Sequence, residues 1–230
     1  MLSIRPIIVA CLIVMTSVHV QAAAHPARDG PGPSGYSDQR AVEDAIDIHV
    51  ANGELVGIRD GVSTHRIRLG LREEVVWMDA RGHVGVVLTD RRLLTLSKRA
   101  SDWRSRSLRL KENAQDVKAN IMISDFLVLA VTPGRAILYD GLVDDWAKKG
   151  LPVHDPFEQA VLDNYVAAVI TENRVYGVAG RRGRFVAERF LSDETIVSVS
   201  QRPHAITLRT NKRLLVFRSQ SPFWDAIRLD

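Results

Sequence analysis

Residues 86–96, VVLTDRRLLTL, set two apolar runs on either side of the four-residue turn Thr89-Asp90-Arg91-Arg92. Taken alone this is one β-hairpin, two short runs rich in aliphatic residues around a polar turn. It is not alone. Thr132-Pro133-Gly134-Arg135, Thr171-Glu172-Asn173-Arg174 and Thr210-Asn211-Lys212-Arg213 repeat the form Thr-x-x-Arg. Eleven residues after each Arg stands an aromatic residue: Trp103, Trp146, Phe185 and Trp224. Five further on comes Leu108, Leu151, Phe190 or Leu229. The Thr-to-Thr spacings are 43, 39 and 39 residues. A period near 40 marks stacked supersecondary units. A weaker fifth copy lies upstream, where Val50-Ala51-Asn52-Gly53 precedes Leu55-Val56-Gly57-Ile58. It lacks the Thr, the Arg and the aromatic.

Within a copy the pattern is strand, turn, strand. In the second copy Val75-Val76-Trp77-Met78 leads into a polar turn, then Val84 to Leu88, the Thr-x-x-Arg turn, Leu93 to Leu96, a polar stretch, and a last strand from Trp103 to Leu108. These strands are A, B, C and D. Strands B and C carry apolar residues at consecutive positions, which requires both faces of the sheet to be covered. Four antiparallel strands in about 40 residues, repeated over roughly residues 44–230, resemble β-propeller repeats. The resemblance is one of architecture. The WD dipeptide, the kelch double glycine and the aspartate box are absent, so no named family attaches to it.

The resemblance implies an all-β fold, a β-propeller of four-stranded antiparallel blades, with five blades and an incomplete first one. Residues Tyr36 to Val42, where the first strand A would fall, are polar. A four-bladed ring with an extra hairpin and an open arc are the alternatives. A single PH-like hairpin is disfavoured because the hairpin recurs at a fixed period.

Outward from the repeat, the N-terminus reads as an export signal. Arg5 precedes the apolar run Ile7 to Val20, and Ala22-Ala23-Ala24 supplies the small residues of a cleavage site,. The run is shorter than the ~20 residues of a membrane span. Residues 1–24 are thus expected to be removed, His25 to begin the mature chain, and no stable membrane insertion to follow. Residues 25–40, HPARDGPGPSGYSDQR, have the composition of a disordered tether,. The repeat domain occupies 41–230. The only cysteine, Cys11, falls within the signal, so the mature chain has no disulfide and no thiolate chemistry,. The chain carries 31 basic and 27 acidic side chains with the signs interspersed. No basic stripe suited to nucleic acid appears.

Three features carry candidate function. The aromatic opening each strand D is a wedge between blades, or else a sugar-stacking platform. The candidate binding residues are Arg92, Arg135, Arg174 and Arg213, which share one repeat position beside the B–C turns. They are expected either to clip each blade to its neighbour or, as the alternative, to form an anion site for phosphate, sulfate or acidic sugar. The third feature is the longer connection between Leu108 and Thr132, which accounts for the 43-residue spacing. Irregular loops on a regular frame concentrate function. No G-x-S-x-G, H-E-x-x-H or P-loop occurs, and the histidines show no metal-ligand spacing,. No cofactor is expected. The sequence therefore points to an exported, periplasmic or extracellular binding module mediating protein–protein contact at the cell envelope. The partner would be an envelope protein or a glycan. Lectin-like binding of a glycan or anion, and a propeller-fold hydrolase or lyase, are the alternatives.

Overall fold

The computed structural model describes residues 45–229. The expected signal peptide, Cys11, the tether and the polar stretch Tyr36 to Val42 lie outside them. The described chain is all-β apart from one short helix and forms five antiparallel sheets, each a simple meander. Sheet 1 holds β1 (Ile46–Ala51), β2 (Glu54–Arg59) and β3 (Ser63–Arg68). Sheet 2 holds β4 (Val75–Arg81), β5 (Val84–Thr89), β6 (Arg92–Ser97) and β7 (Arg104–Ser107). After α1 (Ala114–Ala119), sheet 3 holds β8 (Ile121–Ile123), β9 (Leu127–Thr132), β10 (Arg135–Asp140) and β11 (Asp145–Gly150). Sheet 4 holds β12 (Phe157–Leu162), β13 (Val166–Thr171), β14 (Arg174–Ala179) and β15 (Phe185–Arg189). Sheet 5 holds β16 (Ile196–Arg202), β17 (Ala205–Thr210), β18 (Arg213–Arg218) and β19 (Trp224–Arg228). Each Thr-x-x-Arg turn joins the second and third strands of a four-stranded sheet. Sheet 1 supplies only three strands, the counterparts of B, C and D.

The core is four apolar layers, one between each pair of consecutive sheets. The middle sheets are covered on both faces, and every residue of β5, β9, β10 and β13 is buried. This is why their apolar residues run consecutively rather than alternately. Sheet 5 differs. Ile206, Leu208, Leu215 and Phe217 are buried against sheet 4, while Arg209 and Arg218 are exposed and Leu214 and Val216 half-buried. That period-2 pattern belongs to a sheet with one fully covered face.

The aromatic residues opening the last strands reach back to the preceding sheet. Trp103 and Trp224 are buried, and their indole N–H groups donate to the carbonyls of His65 in β3 and Val186 in β15. Trp146 lies under the Arg106 guanidinium of β7, with its own Nε1 buried and without a partner. These positions are wedges between sheets. Close approach is also set by glycine: a Cβ on Gly57 of β2 would stand 2.3 Å from Leu96 Cδ2, against Trp103.

The four extra residues of the third copy appear as α1. Asn113 caps it by accepting from the Gln115 N–H, and Ala114 and Val117 are buried against the sheet 2 layer,. Strands β4, β12 and β16 all begin with a register shift. In sheet 3 that position is taken by the helix, and β8 is cut to three residues.

Candidate functional site

A meander places the B–C turns and the D–A connections on one side of the stack. There the four candidate arginines meet a partner that the hairpin pattern does not reveal: an acidic residue in the connection leading into each sheet. Arg135 Nε and Nη2 donate to Glu112 Oε1 and Oε2 at 2.7 and 2.5 Å, and Nη2 also donates to the Ser107 carbonyl of the preceding sheet at 3.0 Å. The Thr132 hydroxyl donates to Glu112 Oε1 at 3.0 Å, and the Arg109 N–H donates to Oε2 at 2.7 Å. Arg92 repeats this with Glu73, Thr89, the Gly70 N–H and the Arg68 carbonyl. Arg213 repeats it with Glu194, Thr210, the Leu191 N–H and the Arg189 carbonyl, and adds Glu188 at 2.9 Å. Each of these guanidiniums binds its own sheet's turn to the last strand of the sheet before. They are inter-sheet clips rather than open anion forks.

Burial alone would raise the carboxyl pKa of Glu73, Glu112 and Glu194. The arginine hydrogen bonds, the loop N–H and the threonine hydroxyl outweigh it, so all three lie below the ordinary glutamate value,. For Arg213, burial opposes the charge, and Glu194 with Glu188 overcomes it and raises the pKa.

The fourth copy departs. Its acidic residue is Asp155, one methylene shorter, and Arg174 Nε stops 3.9 Å from Asp155 Oδ2 without a hydrogen bond. Asp155 Oδ1 instead accepts the Asn173 N–H at 2.8 Å, and Oδ2 is buried with no partner. The Arg174 side chain is 39% exposed, against 8% for Arg135.

Beside this loose clip lies a cleft of about 820 Å3 between the α1 connection and the connection into sheet 4. Leu110, Pro133, Val153, Pro156 and Phe157 give it an apolar lining, and Arg109, Lys111, Glu112 and Asp116 also line it. Leu110 and Val153 hold the same repeat position, two residues before the acidic residue, and Leu71 is their counterpart in the second copy. All three are almost fully exposed. The residue after each is Arg72, Lys111 or His154.

The opposite side carries a feature that pattern reading missed. His83, Phe126, Tyr165 and His204 occupy one turn position in successive copies and form a column of rings with centroids 5.0, 5.2 and 4.2 Å apart. Their sequence signal is an aromatic or histidine ring six residues before each Thr. Burial, then the nearby Lys98 charge, holds the His83 pKa below its ordinary value. Next to the column the Asp140 carboxylate is buried. It accepts the N–H groups of Leu142 and Arg181, and burial outweighs those bonds to raise its pKa.

Among the described residues no group of three acidic, His or Cys side chains is placed to hold a metal ion, and no helix is long and apolar enough to cross a membrane.

No protein-family model matches this chain, and no curated protein does. Solved structures with a similar backbone include Kluyveromyces lactis Hsv2, at 11% identity and a TM-score of 0.37, covering 78% of this chain and 59% of that one. The N-terminal domain of Nup159 matches at 11% identity and a TM-score of 0.33, covering 80% and 58%. A functionally unknown protein from Desulfotomaculum acetoxidans matches at 13% and 0.36, covering 80% and 66%. Hsv2 and Nup159 are β-propeller proteins, and the resemblance is one of architecture. The chain spans about 59% of the length of the Kluyveromyces lactis protein.

Proposed function

We propose that this chain is an exported β-propeller binding module, five-bladed with an incomplete first blade, that docks a partner protein at the cell envelope. In this reading the half-covered face of β17 and β18 is where the ring would close. The observation that carries the docking role is the trio Leu71, Leu110 and Val153, exposed at 87%, 103% and 96%. Isolated exposed aliphatics are ordinary, but three at one repeat position on one side, two of them lining an apolar cleft, are the pattern of an interaction surface,. The adjacent Arg72, Lys111 and His154 favour a partner with acidic residues flanking its apolar anchors.

The test compares wild type with Leu110→Arg/Val153→Arg. Both side chains are in solvent, so the melting temperature is expected to stay unchanged. Crosslinking capture from an envelope fraction should retain a partner with wild type and lose it with the variant. Identical capture by both would refute the docking site. Fractionation with N-terminal sequencing tests export separately: a mature chain beginning near His25 in the periplasm or medium is expected.

A further inference from the structure

A second cleft of about 670 Å3 opens where the loops after β14 and β18 meet β15, and it extends to Lys149 near the end of β11 in sheet 3. We propose that it binds a small organic anion, whose phosphate, sulfate or carboxylate group is held by Lys149, Arg182 and Arg184 while its ring or chain lies on Pro222 and Phe223. The lining contains those three cations and no acidic residue, so the charge in the cleft is of one sign. This distinguishes it from the cleft at the connection into sheet 5, which holds Glu158, Glu172, Asp193 and Glu194 and no cation.

The cations are differently prepared. Lys149 Nζ stands 5.1 Å from the Tyr176 ring centroid, held by the ring face,. Arg182 Nη2 donates to the Gln220 carbonyl at 2.5 Å, which fixes the guanidinium and leaves other N–H groups unused. Arg184 is exposed and forms no ion pair or side-chain hydrogen bond among the described residues. Left-handed backbone at Arg181 and Gly183, φ +66° and +60°, folds this loop tightly. Phe223, 67% exposed, is a large apolar side chain left in water beside the cations. An unneutralised cationic wall with an apolar lip fits an anion that has an apolar body. The volume is that of a small-molecule site.

The experiment titrates the folded chain by calorimetry with phenyl phosphate, inorganic phosphate, a sulfated oligosaccharide and an oligoglutamate peptide. Phenyl phosphate should bind saturably, about tenfold tighter than inorganic phosphate, with affinity falling as salt rises. Arg184→Gln should weaken it about tenfold at unchanged melting temperature, because that guanidinium has no structural bond to lose. Phe223→Ala should abolish the preference for the phenyl group. Leu110→Arg and Arg228→Gln should leave binding intact, which separates this site from the docking surface. Tighter, Arg184-dependent binding of the oligosaccharide would identify the anion as a group within a polymer, and equal or weaker binding would identify a free molecule. The proposal is overturned if phenyl phosphate does not saturate, if Arg184→Gln binds it as wild type does, or if only the peptide binds.

Discussion

The turns of the third and fourth sheets are built on one plan, but the third takes its carboxylate from Glu112, ahead of α1, and the fourth from Asp155, one methylene shorter and with no helix after it among the described residues. In the third, Glu112 reaches Arg135 with both oxygens, and the pair is almost wholly buried. In the fourth, Asp155 falls short, Arg174 turns toward water, and one carboxylate oxygen is left buried without a partner. The same hydroxyl shows the change: Thr132 is within donating distance of both Glu112 and the Arg135 carbonyl, whereas Thr171 donates to the Arg174 carbonyl and forms no hydrogen bond to a carboxylate among the described residues. Both sheets nevertheless carry a fully buried second strand, β9 in one and β13 in the other. The stacked fold therefore does not require every clip. The apolar cleft lies between the two turns: Glu112 and Thr132 of the complete clip line it on one side, and Val153 and Pro156, which flank Asp155 in sequence, line it on the other.

The largest expected effect follows from breaking the complete clip. Glu112→Ala strips Arg135 of its bidentate partner while leaving the guanidinium buried. Such a change costs about 3–5 kcal/mol. Asp155→Ala removes the bond accepted from the Asn173 N–H and a long one from its side-chain amide, and also removes an oxygen that accepts no hydrogen bond, so about 1 kcal/mol is expected,. Urea unfolding of both variants checks the difference. Equal losses would mean that the clip geometry does not set the stability of these turns.

Acid should sharpen the same contrast. Glu73, Glu112 and Glu194 have folded pKa values below their unfolded ones. Between the two values the unfolded chain binds more protons, so stability rises with pH there. The clip contribution is complete above the unfolded value of about 4.3 and is lost as pH falls through the folded values. Glu112→Gln should therefore be less stable near neutrality and should lose less on acidification from pH 5 than wild type. A parallel pair of stability curves would show that Glu112 carries no such linkage.

The hairpins were legible because burial on both faces writes itself as consecutive aliphatic residues, and because Thr-x-x-Arg keeps its length in four copies. The arginines were legible as residues but not as clips. Their carboxylates lie 16 residues before the Thr in three copies and 20 in the other, where α1 intervenes. The residues that close the loop on each carboxylate, Gly70, Arg109 and Leu191, share no chemistry, because only their N–H groups are used. The ring column stayed hidden for a related reason. Stacking asks only for a flat ring, so His, Phe, Tyr and His serve alike, and no single residue type repeats. Both clefts are formed by loops of different sheets, and their linings come from segments tens of residues apart.

Asp155→Glu should repair the fourth clip. The added methylene brings a carboxylate to Arg174 and gives the unpartnered oxygen a donor. A gain of about 1 kcal/mol is expected, or about 2–4 °C in melting temperature for a chain of this size. If the cleft beside it binds by adjusting these connections, the repaired variant should also capture the envelope partner more weakly. A repaired clip that stabilises nothing would imply that the connection into sheet 4 cannot close on its arginine.

The smallest effect belongs to Arg174→Gln, and its smallness is the point. Arg174 makes no hydrogen bond to Asp155, and its side chain is more than a third exposed. A loose, solvent-screened pair contributes about 0–1 kcal/mol, and glutamine keeps the stem that packs on the turn. Wild type and variant should thus unfold at nearly the same urea concentration. In the Asp155→Glu background the same substitution should cost more, because it would then remove a formed clip. The double-mutant cycle reads that difference directly as coupling between the two positions. Coupling that appears only with glutamate at 155 would locate the break in the length of one side chain. An equal cost of Arg174→Gln in both backgrounds, which is zero coupling in the cycle, would mean that the added methylene forms no clip with Arg174.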